Sequence, residues 1–194
     1  LTDLRTIASM VRRLRRASPT VLHTYTPKAG LVGQIAGAIS GVRHRVHSVR
    51  GLLYTPEMSP WKRRLFRLTD RLTFRLAHRV IFISGSDRDH CVSTGLCRPD
   101  KAEFTGSGID LSIFDPAAAP RDRASLRAAW GVAADAQVVL TVGRYVHDKG
   151  YPELAEAVER IRSRCPSARF VWVAPVFAGE ADTLPDDFLA ARHI

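Results

Sequence analysis

Two cations and two glycines lie close together in residues 143–150. Gly143 and Arg144 follow an apolar run, and Lys149 and Gly150 come just before a helical pattern of apolar residues. Ligands of α/β proteins bind at the carboxyl ends of parallel strands, where such a loop would lie. Fixed cations there can stabilise the negative charge that develops on a departing diphosphate, and glycine lets a ligand approach the backbone. These four residues predict a diphosphate site that requires no metal ion.

Two more predicted strand ends carry a cation. Lys28 stands near the start of a helical pattern, where free backbone N–H groups and the helix dipole favour an anion. Arg50 follows a β-branched run and precedes Gly51, and its planar guanidinium can bind a phosphate or a sugar carboxylate through two hydrogen bonds. Lys28 is equally explained as a solvated lysine, and Arg50 as an exposed partner in a salt bridge.

A turn of small residues forms a third candidate binding loop. Gly106, Ser107 and Gly108 permit tight backbone turns and the close approach of a ligand, and Asp110 follows two residues later. The pattern is short, so by itself it is a weak signal of binding.

The elements that must position these residues alternate along the chain. Apolar, β-branched runs are separated by helical patterns, which is typical of parallel sheets wound with right-handed crossovers. The predicted strands cover residues 20–23, 45–49, 79–84, 138–142 and 169–173. The predicted helices cover residues 3–16, 29–40, 60–77, 85–94, 121–130, 151–163 and 185–191. The sequence therefore predicts an α/β fold.

A Pro- and Ala-rich segment at residues 115–120 marks a boundary between a predicted domain of residues 1–117 and a second of residues 118–194. The first 120 residues hold 19 Lys and Arg against 9 Asp and Glu, whereas the remainder holds 10 against 10. The second domain has only two predicted strands, too few to close a doubly wound sheet. The first opens directly on a helical pattern, so we expect both ends of the chain to be cuts.

The net charge of +10 would attract phosphates, an anionic lipid surface or nucleic acid. No helix-turn-helix or RNA-binding signature accompanies the charge, which argues against a nucleic-acid-binding protein. No apolar run is long enough to cross a bilayer, and the first residues lack the apolar core of a secretion signal. Cys91, Cys97 and Cys165 are an odd number with no CxxC pair, which argues against a disulfide framework or a zinc site. We expect a cytoplasmic protein.

Residues 61–79 predict a basic amphipathic helix. Its apolar stripe consists of Trp61, Leu65, Leu68, Leu72 and Leu76, and its cations are Lys62, Arg63, Arg64, Arg67, Arg71, Arg75 and Arg79. Such a helix can lie on an anionic membrane with its arginines at the headgroups, which would make the protein peripheral on the inner face of the plasma membrane. It can equally pack its stripe on a sheet and leave its basic face in solvent.

In their order and spacing, these segments resemble family 4 of the glycosyltransferases, retaining enzymes of the GT-B fold, over nearly the whole chain. The segments VLHTYTPKAG at residues 21–30, HSVRG at 47–51 and LAHRVIFIS at 76–84 are similar to members that build capsular and exopolysaccharide repeat units on polyprenyl diphosphate lipids. The segment VGRYVHDKG at 142–150 is similar to the family's donor-phosphate motif. The turn from Gly106 to Asp110 matches a family turn at the edge of the cleft between the two domains.

The resemblance implies two Rossmann-like, doubly wound domains, both incomplete here, with the acceptor side first and the donor side second. It implies that Arg144 and Lys149 grip the donor diphosphate, and that Gly143 and Gly150 allow its approach. The reaction would move a hexose or N-acetylhexosamine from a nucleotide diphosphate sugar to a lipid-linked glycan, with retention and with no cofactor or obligatory metal.

Two departures from the family pattern bear on these expectations. Arg50 stands where many members have His near the reacting sugar, so its role stays open. The family's paired glutamates would fall beyond residue 194, so no catalytic residue is named and this stretch alone is expected to be inactive. The alternatives are a nucleotide-sugar epimerase or hydrolase of the same fold, and a non-catalytic remnant.

Overall fold

A computed structural model describes residues 2–54, 58–115, 123–175 and 182–189. The chain divides into two compact units, Leu1–Leu111 and Ser112–Ile194. The Pro- and Ala-rich residues 116–120, which the sequence predicts to be a linker, lie outside the described residues.

The first unit is an alternation of helices and parallel strands. Its elements are α1 (Thr2–Ala17), β1 (Val21–Tyr25), α2 (Pro27–Ile39), β2 (His44–Val49), α3 (Pro60–Leu76), β3 (Arg79–Phe82), α4 (Gly85–Ser93), a 3₁₀ turn (Pro99–Lys101) and β4 (Ala102–Phe104). The strands form one parallel sheet in the order β1-β2-β3-β4. Right-handed crossovers in this order place α2, α3 and α4 on the same face of the sheet.

Helix α2 packs unusually close to the sheet because glycines line its inner face. A methyl group on Gly33 would come within 2.6 Å of the Thr24 side chain, and one on Gly30 would overlap the His47 ring. The core under α3 and α4 is a separate cluster, formed by Val49, Phe74, Ala77, Val80, Phe82, Cys91, Leu96 and Cys97. These contacts fix the carboxyl ends of β1 and β2 side by side.

The second unit is smaller. Its elements are α5 (Arg123–Ala129), β5 (Gln137–Val142), a 3₁₀ turn (His147–Lys149), α6 (Tyr151–Arg162) and β6 (Ala168–Val173), with β5 and β6 paired in parallel. Its core is aromatic: the Tyr151 ring contacts those of Tyr145 and Trp172, with centroids 5.4 and 5.0 Å apart. Leu184 and Phe188 complete this core.

The structure corrects three sequence expectations. The basic helix ends at Leu76, because Ala77 adopts an extended conformation, so Arg79 belongs to β3 and not to a helix of residues 61–79. Residues 186–189 form a turn that seats Phe188 in the core, so the predicted helix at 185–191 is wrong over its described part. The three-residue strand β4 has no counterpart in the prediction, since its sequence is too short for an alternating pattern.

The three cysteines differ in their exposure to solvent. All three are free thiols; Cys91 and Cys97 are buried in the core of the first unit, and Cys165 is exposed. Burial raises the pKa of Cys91 to about 12 and that of Cys97 to about 11, so both are protonated at neutral pH.

Candidate functional site

A cavity of about 150 Å³ lies at the carboxyl end of β2, where the start of α2 and the middle of α3 meet it. Arg50 and Gly51 line it, as the sequence predicts for a strand-end loop, and Gly51 has a φ of +120° that favours glycine. Thr26 at the start of α2 also lines it, with a φ of +62° that is uncommon for a β-branched residue. The strained turn brings the first turn of α2 to the cavity wall.

His47, which lines the cavity, belongs to a buried polar network behind it. The Thr24 hydroxyl lies 2.9 Å from His47 Nδ1, and Gln34 Nε2 donates to that hydroxyl and to the Val46 carbonyl, each at 2.9 Å. Burial, with a smaller contribution from His23, lowers the pKa of His47 to about 4, so its ring is neutral at physiological pH. A neutral imidazole held by one nitrogen has a fixed orientation at the cavity wall.

Asp70 is the residue of this cavity that the sequence reasoning missed. It lies on α3, it lines the cavity, and burial raises the pKa of its carboxyl to about 6. No hydrogen bond or ion pair joins its side chain to another described residue. A carboxyl that is partly buried and has no partner in the described part of the chain is suited to bind a polar ligand group. The available signal was that Asp70 is the only acid of α3.

The other residues predicted on the acceptor side do not line this cavity. Lys28 lies in the first turn of α2 with 79% of its side chain exposed, and its ammonium is 3.1 Å from the Asp3 carboxylate. Gly106 adopts a φ of +69° in an exposed segment that includes Ser107, Gly108 and Asp110. Whether these residues contact a ligand stays a prediction.

In the predicted diphosphate loop of the second unit, both cations lie near the carboxylate of Asp148. Arg144 Nη2 and Lys149 Nζ lie 3.7 and 3.3 Å from the same carboxylate oxygen of Asp148. Both cations are about half exposed at the carboxyl end of β5, and Gly150 has a φ of +74° where the 3₁₀ turn passes into α6. The geometry therefore places two positive groups around one oxygen anion, as a phosphate would require.

Three contacts hold this loop in place from below. The Tyr151 hydroxyl donates to the Gly143 carbonyl at 2.9 Å, and the Asp148 amide donates to the Asp182 carboxylate at 3.1 Å. The His147 amide donates to the Asp182 carbonyl at 3.0 Å. Because Tyr151 is almost fully buried, the backbone beside Gly143 is anchored to the core of the unit. A loop anchored in this way loses little conformational entropy when it binds a ligand.

No group of three or more potential metal-binding side chains occurs among the described residues. Within the same part of the chain, no helix is both long enough and apolar enough to cross a membrane.

Parallel sheets with the candidate binding loops at the carboxyl ends of their strands define an α/β fold, and its likeness to solved structures makes it one of the GT-B kind, as the sequence predicts. The chain belongs to the glycosyl transferase 4-like domain family, whose family model matches residues 1–108.

Characterised relatives agree with this membership. The chain is 28% identical over 167 residues to the capsular polysaccharide biosynthesis glycosyltransferase CapM of Staphylococcus aureus, covering 84% of this chain and 42% of that protein. It is 25% identical over 115 residues to the UDP-Gal:alpha-D-GlcNAc-diphosphoundecaprenol alpha-1,3-galactosyltransferase of Escherichia coli, covering 59% and 30%. It is 30% identical over 193 residues to the alpha-maltose-1-phosphate synthase of Mycolicibacterium smegmatis, covering 94% and 46%. The chain thus spans less than half the length of each relative.

Solved structures share the fold. A glycosyltransferase from Rickettsia africae superposes with a TM-score of 0.59 at 13% identity, over 93% of this chain and 52% of that one. A UDP-GlcNAc 2-epimerase from Neisseria meningitidis superposes with the same TM-score at 15% identity, over 98% and 56%. The fold is therefore common to transferases and epimerases, and does not by itself separate the two activities.

Proposed function

We propose that the protein of which this chain is a part transfers a hexose or N-acetylhexosamine from a nucleotide diphosphate sugar to a polyprenyl-diphosphate-linked glycan, with retention of configuration. The observation that carries the proposal is the convergence of Arg144 and Lys149 on one carboxylate oxygen of Asp148. In this reaction the two cations would bind the donor diphosphate and stabilise its charge as the sugar departs, so no metal ion is required. Gly143 and Gly150 would let the diphosphate approach the backbone.

The acceptor would bind at the cavity beside Arg50. Arg50 and Asp70, a cation and a carboxyl that has no partner among the described residues, line the same small space, and the neutral imidazole of His47 lies in its wall. This combination can recognise an acceptor that carries both a phosphate and sugar hydroxyls. Two relatives are named for polysaccharide or lipid-linked glycan synthesis, which supports an acceptor of this kind.

The outer face of α3 supports docking on an anionic membrane. Trp61, Leu65, Leu68 and Leu72 are 65%, 50%, 63% and 42% exposed, whereas Thr73 and Phe74 are the buried residues of the helix. Of the two interpretations that the sequence allowed, packing of this stripe on the sheet is therefore wrong for these four residues. Exposed Lys62, Arg64, Arg71 and Arg75 flank the stripe. An apolar stripe bordered by cations is the pattern of helices that lie in the lipid headgroup region. The protein would act at the cytoplasmic face of the plasma membrane.

Calorimetric titration of the full-length protein with UDP, GDP and their sugars tests the donor site. We expect micromolar binding of one base, and a loss of at least about 100-fold in the Arg144→Ala/Lys149→Ala variant, because each charge-assisted hydrogen bond contributes about 1.5–3 kcal/mol. An Arg160→Ala/Arg164→Ala variant removes the same charge from the last turn of α6 and the segment just after it, and serves as the control. Equal affinity in all three proteins would exclude this donor site.

Product analysis tests the type of reaction. Incubation with the bound nucleotide sugar and a polyprenyl-diphosphate-linked glycan should give nucleoside diphosphate and an elongated acceptor. An altered free nucleotide sugar without an elongated acceptor would instead identify an epimerase or a hydrolase.

A further inference from the structure

A basic groove lies on the first unit at the end of the sheet opposite to the cavity beside Arg50. It has a volume of about 490 Å³, and it runs between the last turns of α3 and the segment that joins α4 to β4. Its walls carry four cations, Arg71, Arg75, Arg98 and Lys101, and buried Phe74 and Leu96 form part of its lining together with Gly95. We call this the basal groove.

The negative end of the α3 dipole is already compensated at the basal groove. Lys101 Nζ donates to the carbonyls of Arg75 and Ala77 at 2.9 and 2.6 Å, and Arg45 Nε donates to the carbonyl of Leu76 at 3.0 Å. The terminal carbonyls of α3 therefore do not repel an anion there as free carbonyls would. Lys101 uses two of its three N–H groups in these bonds, and no described residue accepts a hydrogen bond from the third.

Two of the three guanidinium groups at the basal groove make no hydrogen bond or ion pair with another described residue. Arg98 binds Asp100 through both carboxylate oxygens, at 3.0 and 2.8 Å, so its charge is offset. Among the described residues, no ion pair or hydrogen bond engages the side chain of Arg71 or Arg75. These two residues are one helical turn apart, so their guanidinium groups can approach one anion together. Such a concave, positively charged space is suited to a compact dianion or monoanion with several oxygens.

The basal groove adjoins the exposed apolar stripe of α3. Leu68 and Leu72 belong to that stripe, and on the exposed side of the helix Leu72 lies beside Arg75, which lines the groove. A lipid that reaches the groove would thus have apolar side chains beside its acyl end and cations beside its phosphate. A phosphate free in solution would use only the cations.

We propose that the basal groove is a phosphate site that takes the headgroup phosphate of an anionic phospholipid when α3 lies on a membrane. The proposal rests on the membrane docking proposed above and is independent of the transferase reaction. It adds a defined headgroup site, with residues outside α3, to the general attraction of a basic helix.

Vesicle binding by the full-length protein tests this site. The groove variant is Arg71→Gln/Arg75→Gln, and the control is Lys62→Gln/Arg64→Gln, which removes the same charge from the same exposed helix away from the groove. Sedimentation with phosphatidylcholine vesicles that contain phosphatidylglycerol should show both variants weakened, since each cation near the surface contributes about 1 kcal/mol. We expect the groove variant to be weaker than the control by a further tenfold or so, because it also loses directed hydrogen bonds. Equal weakening would overturn the proposal.

A second arm separates a lipid phosphate from a free one. Titration of the protein with inorganic phosphate and with a short-chain phosphatidylglycerol, followed by the amide NMR signals of Gly95, Leu96 and Lys101, should show tighter binding of the lipid. Tighter or equal binding of inorganic phosphate would overturn the lipid assignment. Thermal unfolding of both variants verifies their folding, which Gln should preserve as a good helix former.

The donor-site variant keeps the two proposals distinguishable. If Arg144→Ala/Lys149→Ala binds no nucleotide but still binds vesicles through the groove, the two sites are independent. If the unmodified protein binds no nucleotide, the proposed transferase fails, and the vesicle comparison still decides the basal groove.

Discussion

His47 and Asp70 line one cavity and respond to pH in opposite directions. The pKa of His47 lies at about 4 in the folded protein against 6.5 ordinarily, so its contribution to stability is present above pH 6.5 and is lost as pH falls toward 4. The pKa of Asp70 lies at about 6 against 3.8, so its contribution is present below pH 3.8 and is lost as pH rises through 6. The two effects oppose each other between about pH 4 and 6.

Replacement of Asp70 by Asn should therefore stabilise the protein at pH 8 and not at pH 4. The ionised carboxyl is held partly buried without a described partner at pH 8, and its removal should raise the free energy of unfolding by on the order of 1 kcal/mol. Urea unfolding at several pH values measures this, and the variant should also show a steeper loss toward acid, since His47 then titrates unopposed.

The control for Asp70→Asn is Asp89→Asn on α4, whose exposed carboxylate pairs with Arg88. That change should shift stability by less than about 1 kcal/mol at every pH. A loss of stability in Asp70→Asn at pH 8 would show that the carboxylate is held by a favourable partner, and would remove the reason to regard it as a ligand group.

Asp148 pairs with Arg144 and Lys149, the two cations of the proposed donor site. We expect Asp148→Asn to raise the affinity for nucleoside diphosphate about twofold to fivefold, because an exposed ion pair contributes about 0.2–1 kcal/mol that the ligand must otherwise displace. Calorimetry on the full-length protein measures the change. Asp135→Asn, which lies before the opposite end of β5, should leave the affinity unchanged. Lower affinity in Asp148→Asn would mean that the carboxylate orders the cations rather than competing with the ligand.

At the scale of elements, α2 packs so closely on the sheet that its inner face has no room for larger side chains at its glycine positions. Gly33→Ala should destabilise the protein by about 1–3 kcal/mol, because the new methyl group would meet Thr24 at 2.6 Å. The matched change Gly85→Ala, at the start of α4 with open space around it, should be neutral or stabilising. Urea unfolding compares them, and an equal effect of the two changes would contradict the close packing of α2.

Helix α3 makes a separate prediction. Leu65 on its stripe and Leu126 on α5 are both 50% exposed, so a change to Ser should cost little stability at either position. Leu65→Ser should weaken binding to anionic vesicles by about tenfold, since a buried leucine side chain contributes about 1.5–3 kcal/mol. Leu126→Ser should leave vesicle binding unchanged. Equal vesicle binding by the two variants would exclude the stripe as the membrane contact.

The elements with clear periodicity were predictable from the sequence, and the environment of individual side chains was not. The β-branched runs predicted β1, β2, β3, β5 and β6 within about two residues at most ends. The outer position of the α3 stripe was not predictable, because helical periodicity identifies an apolar face without saying what covers it. Asp70 was missed for a related reason. Its pKa is raised because its carboxyl is partly buried in the folded protein, and no local sequence pattern encodes that burial.

At the scale of the whole molecule, the two units differ in their charge balance. The excess of cations lies in the unit that carries the α3 stripe and the basal groove, whereas the other unit nearly balances its cations with acidic residues. This division was visible in the sequence, because it depends only on counts along the chain. The close grouping of Arg71, Arg75, Arg98 and Lys101 was not, because α3 and the α4–β4 segment meet only through the tertiary fold.

The placement of the three thiols gives each unit its own chemical reporter. Cys165 is exposed to solvent in the second unit, so an alkylating reagent should modify it faster than it modifies the two buried thiols. Cys91 and Cys97 are shielded and protonated, so their modification requires that the core of the first unit open and should follow the rate or population of that opening. Mass spectrometry of alkylated peptides over time would thus measure the local opening of the first unit through Cys91 and Cys97. Alkylation of Cys165 in the second unit would serve as the internal standard. Similar rates at all three thiols would contradict the buried positions of Cys91 and Cys97.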